Sequence, residues 1–229
     1  QGIVGRVTYG YDDRYLFEFN AGYNGSENFM KGKRFGFFPS VSMGWRITNE
    51  EFMKGTQDWL NNLKLRASYG SLGNQALDES RYGNFPYLAT YGINTKYGAL
   101  LNGTRPVAVS VPGLVSASFT WETVNQIDFG FDASFFGGRL NTSFDWYRRN
   151  TKDMLTAGQA LPAVLGTSVP QENAADMKTV GWEVSLEWND RLSNGFGYHI
   201  KGVLSDYQAS ITKFPNPTKL LGTHYVGEK

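Results

Sequence analysis

The residues able to do chemistry are few and scattered. Only two histidines occur, His199 and His224, and cysteine is absent. No thiolate nucleophile, disulfide framework or Cys-ligated metal is therefore possible. No HExxH pairing, GxGxxG turn or GxxxxGK[ST] phosphate loop appears, so the usual zinc-hydrolase and nucleotide-binding chemistries have no foothold. The adjacent carboxylates Asp12-Asp13 and Glu50-Glu51 sit where turns and helix caps need them. No catalytic residue, metal ligand or cofactor site is expected. Two other groups remain. Asp128, Asp132, Asp145, Glu183 and Glu187 recur with Lys64, Arg66, Arg149 and Lys201 at alternating positions. Such charges make ion pairs between neighbouring strands, and some could touch a solute. The second group is aromatic: Tyr82, Phe85, Tyr87, Tyr91 and Tyr97, set among Asn, Thr and Gly. Aromatic faces stack on sugar rings and neighbouring amides bind hydroxyls, so these five are the candidate substrate-binding residues.

Both groups depend on elements with a period of two. From Val180 to Trp188, Val180, Trp182, Val184, Leu186 and Trp188 share one face, opposite Gly181, Glu183, Ser185 and Glu187. Ile127, Phe129, Phe131, Ala133 and Phe135 do the same opposite Gln126, Asp128, Gly130, Asp132 and Ser134. After Gly137-Gly138 the parity resets, with Leu140, Thr142, Phe144 and Trp146 on the apolar face. The glycines suit the positive φ of a tight hairpin. Eight strands are predicted, over 2–11, 14–24, 35–47, 62–72, 122–136, 139–150, 178–189 and 196–208. Connections alternate between short ones, near Asp12-Asp13, Gly137-Gly138 and 190–195, and long ones at 25–34, 73–120 and 151–177. The medium segment 48–60 predicts a short helix, with Thr48 and Glu51 forming a capping box.

Composition bounds the function. A formal net charge of +1 over 229 residues argues against a nucleic-acid partner. No run of about 18 apolar residues exists, so no transmembrane helix is available. A barrel strand evades that test, because only alternate residues need be apolar. The first residues have no signal-peptide pattern, which predicts a mature chain or an internal piece. Two architectures share this alternation: a soluble β-sandwich, such as a carbohydrate-binding module, and an antiparallel transmembrane β-barrel. The aromatics near strand ends (Tyr9, Tyr11, Tyr15, Tyr23, Trp45, Tyr69, Trp121, Trp146, Trp182 and Trp188) favour the barrel, as candidates for interfacial girdles. Phe129, Phe131, Phe144, Trp146, Trp182, Val184, Leu186 and Trp188 would then face lipid.

Several phrases resemble one family. "LKLRASYGSLGN" (Leu63 to Asn74), "FTWETVNQIDFGFDASFFGGRLNTSFDWYRRNTKDML" (Phe119 to Leu155), "ENAADMKTVGWEVSLEWND" (Glu172 to Asp190) and "FFPSVSMGWRITNEEFM" (Phe37 to Met53) are similar to segments of SusC/RagA-type TonB-dependent transporters, in the same order. The run Met177 to Gly181 departs slightly from the family's wording. The resemblance implies an all-β fold, with residues 1–229 forming about eight strands in the later part of a barrel of about 22. The plug domain and the TonB-contacting segment would lie outside this chain. It also implies a bacterial outer-membrane importer of oligosaccharides or peptides, working with TonB and a SusD-like surface lipoprotein, among lipids and lipopolysaccharide. The long segments 73–120 and 151–177 would be extracellular loops. A self-contained eight-stranded, porin-like barrel is the remaining alternative.

Overall fold

The computed structural model describes residues 1–75, 85–95, 100, 102–105, 107–220 and 222–229. Among these residues ten strands form, in chain order β1 (Gly2–Tyr11), β2 (Tyr15–Gly25), β3 (Phe35–Arg46), β4 (Leu60–Asn74), β5 (Gly92–Asn94), β6 (Ala108–Ser110), β7 (Glu122–Phe135), β8 (Leu140–Ala157), β9 (Gln171–Arg191) and β10 (Gly197–Lys213). β5 and β6 pair in a small separate hairpin; the other eight form one sheet in the order β1-β2-β3-β4-β7-β8-β9-β10. Every pairing in that sheet is antiparallel and joins strands consecutive in the chain, apart from the inserted hairpin. β1 and β10 are its two edges and do not pair with each other, so these eight strands do not close into a small barrel.

Among the described residues no second sheet covers either face, which removes the sandwich. The buried apolar residues are correspondingly few: Phe29, Leu60, Phe119, Trp121, Ala133 and Ala175. A soluble fold of eight strands would bury an entire sheet face instead. Here Phe129 and Leu186, in mid-sheet, remain about half exposed.

Register explains the layout of the uncovered apolar face. One ladder row runs Tyr9, Phe17, Met43, Ala67, Phe129, Trp146, Trp182 and Asp206 across all eight strands. On β1 the apolar residues extend beyond this row to Ile3, whereas on β10 they stop short of it, at Leu204. The upper edge of the band thus descends about eight residues over seven strand-to-strand steps, and the lower edge, from Tyr11 to Tyr198, about six. With about 3.4 Å per residue and about 4.8 Å between strands, the band lies oblique to the ladder rows by roughly 30–40°. Strands in a closed barrel tilt by about that angle.

The short connections follow local chemistry. Asp12 and Asp13 both adopt φ of 50°, and the Arg14 amide donates to the Tyr11 carbonyl at 2.9 Å. Such a positive-φ pair matches the twist of the strands it joins. At the β7–β8 turn Gly137 and Gly138 take φ of 69° and 85°, values that cost a side chain dearly. The 48–60 segment differs from the prediction. It forms two 3₁₀ segments, Ile47–Asn49 and Glu51–Thr56, with no side-chain cap. Thr48 Oγ1 instead accepts from the Leu63 amide at 3.2 Å, tying the connection to β4. Glu50, not Glu51, is the organising acid. Its Oε1 accepts from Tyr15 Oη at 2.7 Å and Trp45 Nε1 at 3.0 Å, and Arg14 lies 3.5 Å from Oε2.

At the opposite rim the strands outrun the prediction. β8 continues to Ala157 and β9 begins at Gln171, so much of the segment expected as a loop over 151–177 is strand, leaving a connection of 158–170. β10 likewise extends to Lys213. The alternation weakens there because the ladder slips between Thr151 and Met154, where Asp153 takes a φ of 57°. Trp121 is also not where the girdle placed it. It is 8% exposed and packs with Phe29, Phe119 and Phe38 in a small core at this rim. Pairing of β3 with β4 ends at Ser40 and Gly70, and the Phe38 ring lies over Gly36 and Gly73, where any Cβ would collide with it. Trp121 Nε1 donates to the Arg34 carbonyl at 3.2 Å, and Lys33 Nζ to the Ala117 carbonyl at 2.6 Å, joining two connections.

Trp121→Ala is expected to cost about 3–5 kcal/mol locally, read as faster amide hydrogen exchange at 26–34, 116–121 and around Leu155, which packs on the same core, with the 140–148 half of β8 unchanged. Glu50 supplies a pH signature. The hydrogen bonds from Trp45 and Tyr15, then the Arg14 charge, hold its carboxyl below the ordinary carboxylate range. A lowered folded-state pKa stabilises above the unfolded value and is lost as pH falls through the folded one. Acid titration of stability should therefore show a component below about pH 4.5 that Glu50→Gln lacks.

Candidate functional site

Along the span of the apolar band the opposite face carries most of the charges, because strand alternation turns the residues between the apolar ones to that side. Arg66 on β4 is the hub. Its Nε donates to Asp132 Oδ2 at 2.8 Å and its Nη2 to Asp132 Oδ1 at 3.0 Å, a bidentate clamp onto β7. Its Nη2 and Nη1 also reach Asp145 on β8 at 3.0 Å each. One guanidinium thus bridges three consecutive strands, which its planar fork of donors allows and a lysine could not match. Gly130 lies between them on β7, and a Cβ there would meet both the Asp145 carboxylate and the Phe144 carbonyl. The absence of a side chain at 130 lets Asp145 approach.

A second polar chain runs above it. Ser68 Oγ donates to Asp128 Oδ2 at 2.9 Å, Gln126 Nε2 to Asp128 Oδ1 at 2.7 Å, and Arg149 Nε to Gln126 Oε1 at 2.8 Å. Arg149, expected among the ion pairs, thus binds an amide. Towards β1, Glu18 accepts from Asn20 and pairs with Arg6. Towards β10, Glu187 lies 3.5 Å from His199 Nε2 and 4.0 Å from Lys201 Nζ. Glu183 stays exposed. Lys64, Arg66, Ser68, Asp128, Asp145 and Glu18 line a shallow cleft of about 560 Å³ on this face. Among the described residues no group of three or more His, Asp or Glu is placed to hold a metal ion.

The aromatic candidates separate from this wall. Phe85 and Tyr87 meet edge to face with centroids 6.3 Å apart, and Phe85 and Tyr91 are exposed, the latter just before β5. Tyr82 and Tyr97 lie outside the described residues. The side chains that sequence reasoning missed are Phe29, Phe119 and Glu50. Phe29 and Phe119 sit in irregular connections, where no periodicity marks a core position. Glu50 was hidden behind its neighbour Glu51.

The uncovered sheet, its oblique apolar band and its charged reverse face are those of a barrel wall, and comparison with known proteins agrees. The family model described as TonB dependent receptor-like, beta-barrel, matches residues 1–226. The chain belongs to this family. It is 31% identical over 209 residues to TonB-dependent receptor P26 of Formosa agariphila, covering 91% of this chain and 20% of that protein. It is 29% identical to TonB-dependent receptor SusC of Bacteroides thetaiotaomicron, with the same two coverages. Among solved structures, a chain of the RagAB peptide transporter superposes with a TM-score of 0.83 at 25% identity, covering 99% of this chain and 24% of that one. In the closed-closed state of the RagAB peptide importer the TM-score is 0.84. The chain spans about a fifth of the length of the curated relatives it matches. It is thus a SusC/RagA-type TonB-dependent receptor barrel segment of eight antiparallel strands, and the family's barrels are outer-membrane proteins.

The Arg66 clamp gives a directional test of the charged wall. The pairs are about one-third exposed, so solvent screening limits each to about 1 kcal/mol or less. Removing the shared guanidinium by Arg66→Met should destabilise more than Asp132→Asn or Asp145→Asn alone, because it leaves two carboxylates side by side. A double-mutant cycle of Arg66→Met with Asp145→Asn, read by urea unfolding in lipid, should return a nonzero coupling energy.

Proposed function

We propose that this chain is part of the barrel wall of an outer-membrane importer that takes up oligosaccharides or peptides by TonB-coupled transport, together with a SusD-like lipoprotein at the extracellular mouth. The observation that carries the reading is the oblique apolar band on a single-layered sheet of a SusC/RagA-type chain. On that reading Phe129, Phe131, Phe144, Trp146, Trp182, Val184, Leu186 and Trp188 contact acyl chains. In hydrocarbon every backbone N–H and C=O must be paired, and the unbroken ladder from β1 to β10 supplies the partners. The charged face lines the lumen, where Arg66, Asp132 and Asp145 brace the wall against the plug.

The rim with the short connections is then periplasmic and the rim with the long ones extracellular. β8, β9 and β10 hold 18, 21 and 17 residues, against the 9–11 or so that cross the hydrocarbon. Their excess rises above the membrane as a stalk for the loops. Phe85 and Tyr91, both exposed, and the half-buried Tyr87 are the aromatics available to a solute there. Peptides are supported by the likeness to the RagAB peptide transporter, and sugars by the aromatic and amide content of the 73–120 segment.

The test is uptake by cells carrying the full-length receptor, its gene deleted and restored, offered labelled oligosaccharides and mixed peptides. Uptake of one class should fall to the background level on deletion and on collapse of the proton gradient. Phe85→Ala with Tyr87→Ala should weaken it by about tenfold, as loss of two stacking faces implies. Undiminished uptake of both classes after deletion would remove the importer assignment.

A further inference from the structure

The apolar face changes character abruptly above Trp146 on β8 and Val180 on β9. The next positions on that same face are Arg148, Asn150 and Lys152 on β8, and Lys178 on β9. Asn150 is the direct partner of both Lys178 and Asn125, and Arg148 of Val180, so Arg148 lies on the diagonal from Lys178. Diagonal neighbours of this kind stand about 7–8 Å apart. Lys152, paired with Thr123, is the following position. Three cations and two amides are thus gathered at the boundary of the band, on the side of the long connections.

Their charges are unmatched. Among the described residues none of the three ion-pairs with a carboxylate, and Arg148 Nε donates only to Asn150 Oδ1, at 3.4 Å. Asp176, two residues beyond Lys178, accepts from the Asp153 amide at 2.9 Å. At the other rim Arg46 pairs with Asp13, Arg14 with Asp12 and Glu50, and Arg139 with Asp190, while Arg191 donates to the Gly195 carbonyl. On the charged face Arg66 and Lys201 also have acids. Arg148 and Lys152 are exposed and Lys178 half-buried, so the heads are free to bind an external anion. Long basic side chains rooted at an apolar boundary reach towards the phosphates of a lipid surface, and adjacent amides can donate to the remaining oxygens.

We propose that Arg148, Lys152 and Lys178, with Asn125 and Asn150, bind the phosphate groups of an anionic glycolipid of the lipid A class in the outer leaflet. This rests on the reading that the band faces lipid and the long connections face outward. Phosphate oxygens accept charge-assisted hydrogen bonds from both guanidinium and ammonium groups. A di-anionic headgroup matches a triad better than any single exposed carboxylate would.

The experiment uses the full-length receptor in phosphatidylcholine nanodiscs doped with diphosphoryl lipid A, with bound lipid counted by native mass spectrometry. The triple variant Arg148→Gln, Lys152→Gln, Lys178→Gln should retain at least about tenfold less lipid A than the parent. Lys54→Gln, which removes a cation at the other rim, should retain as much as the parent. Equal retention by the triple variant, equal binding of dephosphorylated lipid A, or full displacement by millimolar inorganic phosphate would each overturn the proposal. Tryptophan quenching by brominated phosphatidylcholine in the same discs reads the band by itself. Strong quenching with no lipid A selectivity sinks only the phosphate site, whereas absent quenching sinks the membrane reading beneath it.

Discussion

An antiparallel ladder forces every second side chain onto one face, and in this chain nearly all the architecture descends from keeping that alternation in step across eight strands. A slip of one residue in a single pairing would turn that strand's Trp, Phe and Leu onto the charged face and its acids onto the apolar one. The register holds because tight connections fix it at one rim: the positive-φ pair Asp12-Asp13, the glycines at 137 and 138, and the Glu50 cluster that ties Tyr15 and Trp45 of adjacent strands to the same carboxylate. Slips occur near the ends, between Leu60 and Asn62 and beyond Thr151, outside the stretch where both faces must be kept apart.

The two faces solve different problems with the same ladder. On the charged face, Arg66 holds carboxylates from two further strands, and a glycine at 130 makes room for one of them. Exposed pairs of this kind add little to global stability. Their larger effect is to match charges along a wall whose acids would otherwise repel one another. On the apolar face the aromatic rings pair across strands, Phe129 with Trp146 and Phe131 with Phe144. Those contacts join neighbours within the sheet, and the outward surfaces of the rings remain uncovered. So large an uncovered apolar face is what the proposed position in a barrel wall, against lipid, would call for.

At the long-connection rim the logic changes from periodicity to local packing. Phe29, Phe119 and Trp121 come from two irregular connections and meet Phe38 where β3 and β4 part. Asn173 fastens the same region, accepting from the Thr120 amide at 2.8 Å and donating to the Thr120 and Asp153 carbonyls. The base of the long 75–121 connection is therefore rigidly held. This gives the proposed recognition loop a firm footing on the wall while leaving Phe85 and Tyr91 exposed.

The amino-acid sequence by itself determined the eight main strands, the face each side chain takes and the charged set around Arg66, because a two-residue period is a local property of the chain. It also determined the family, through phrases whose order follows the strands. What only the tertiary structure decided are features that depend on partners remote in sequence. The open edges at β1 and β10 excluded a small closed barrel, and the lack of a second layer among the described residues excluded a sandwich. Trp121 was drawn into a core by Phe29, 92 residues earlier in the chain by their numbering. Thr48 surrendered its expected cap to the amide of Leu63, since β4 returns to that point. The oblique course of the apolar band likewise emerged only when the strands were set in register. Each strand carries a segment of the band, but none encodes its slope.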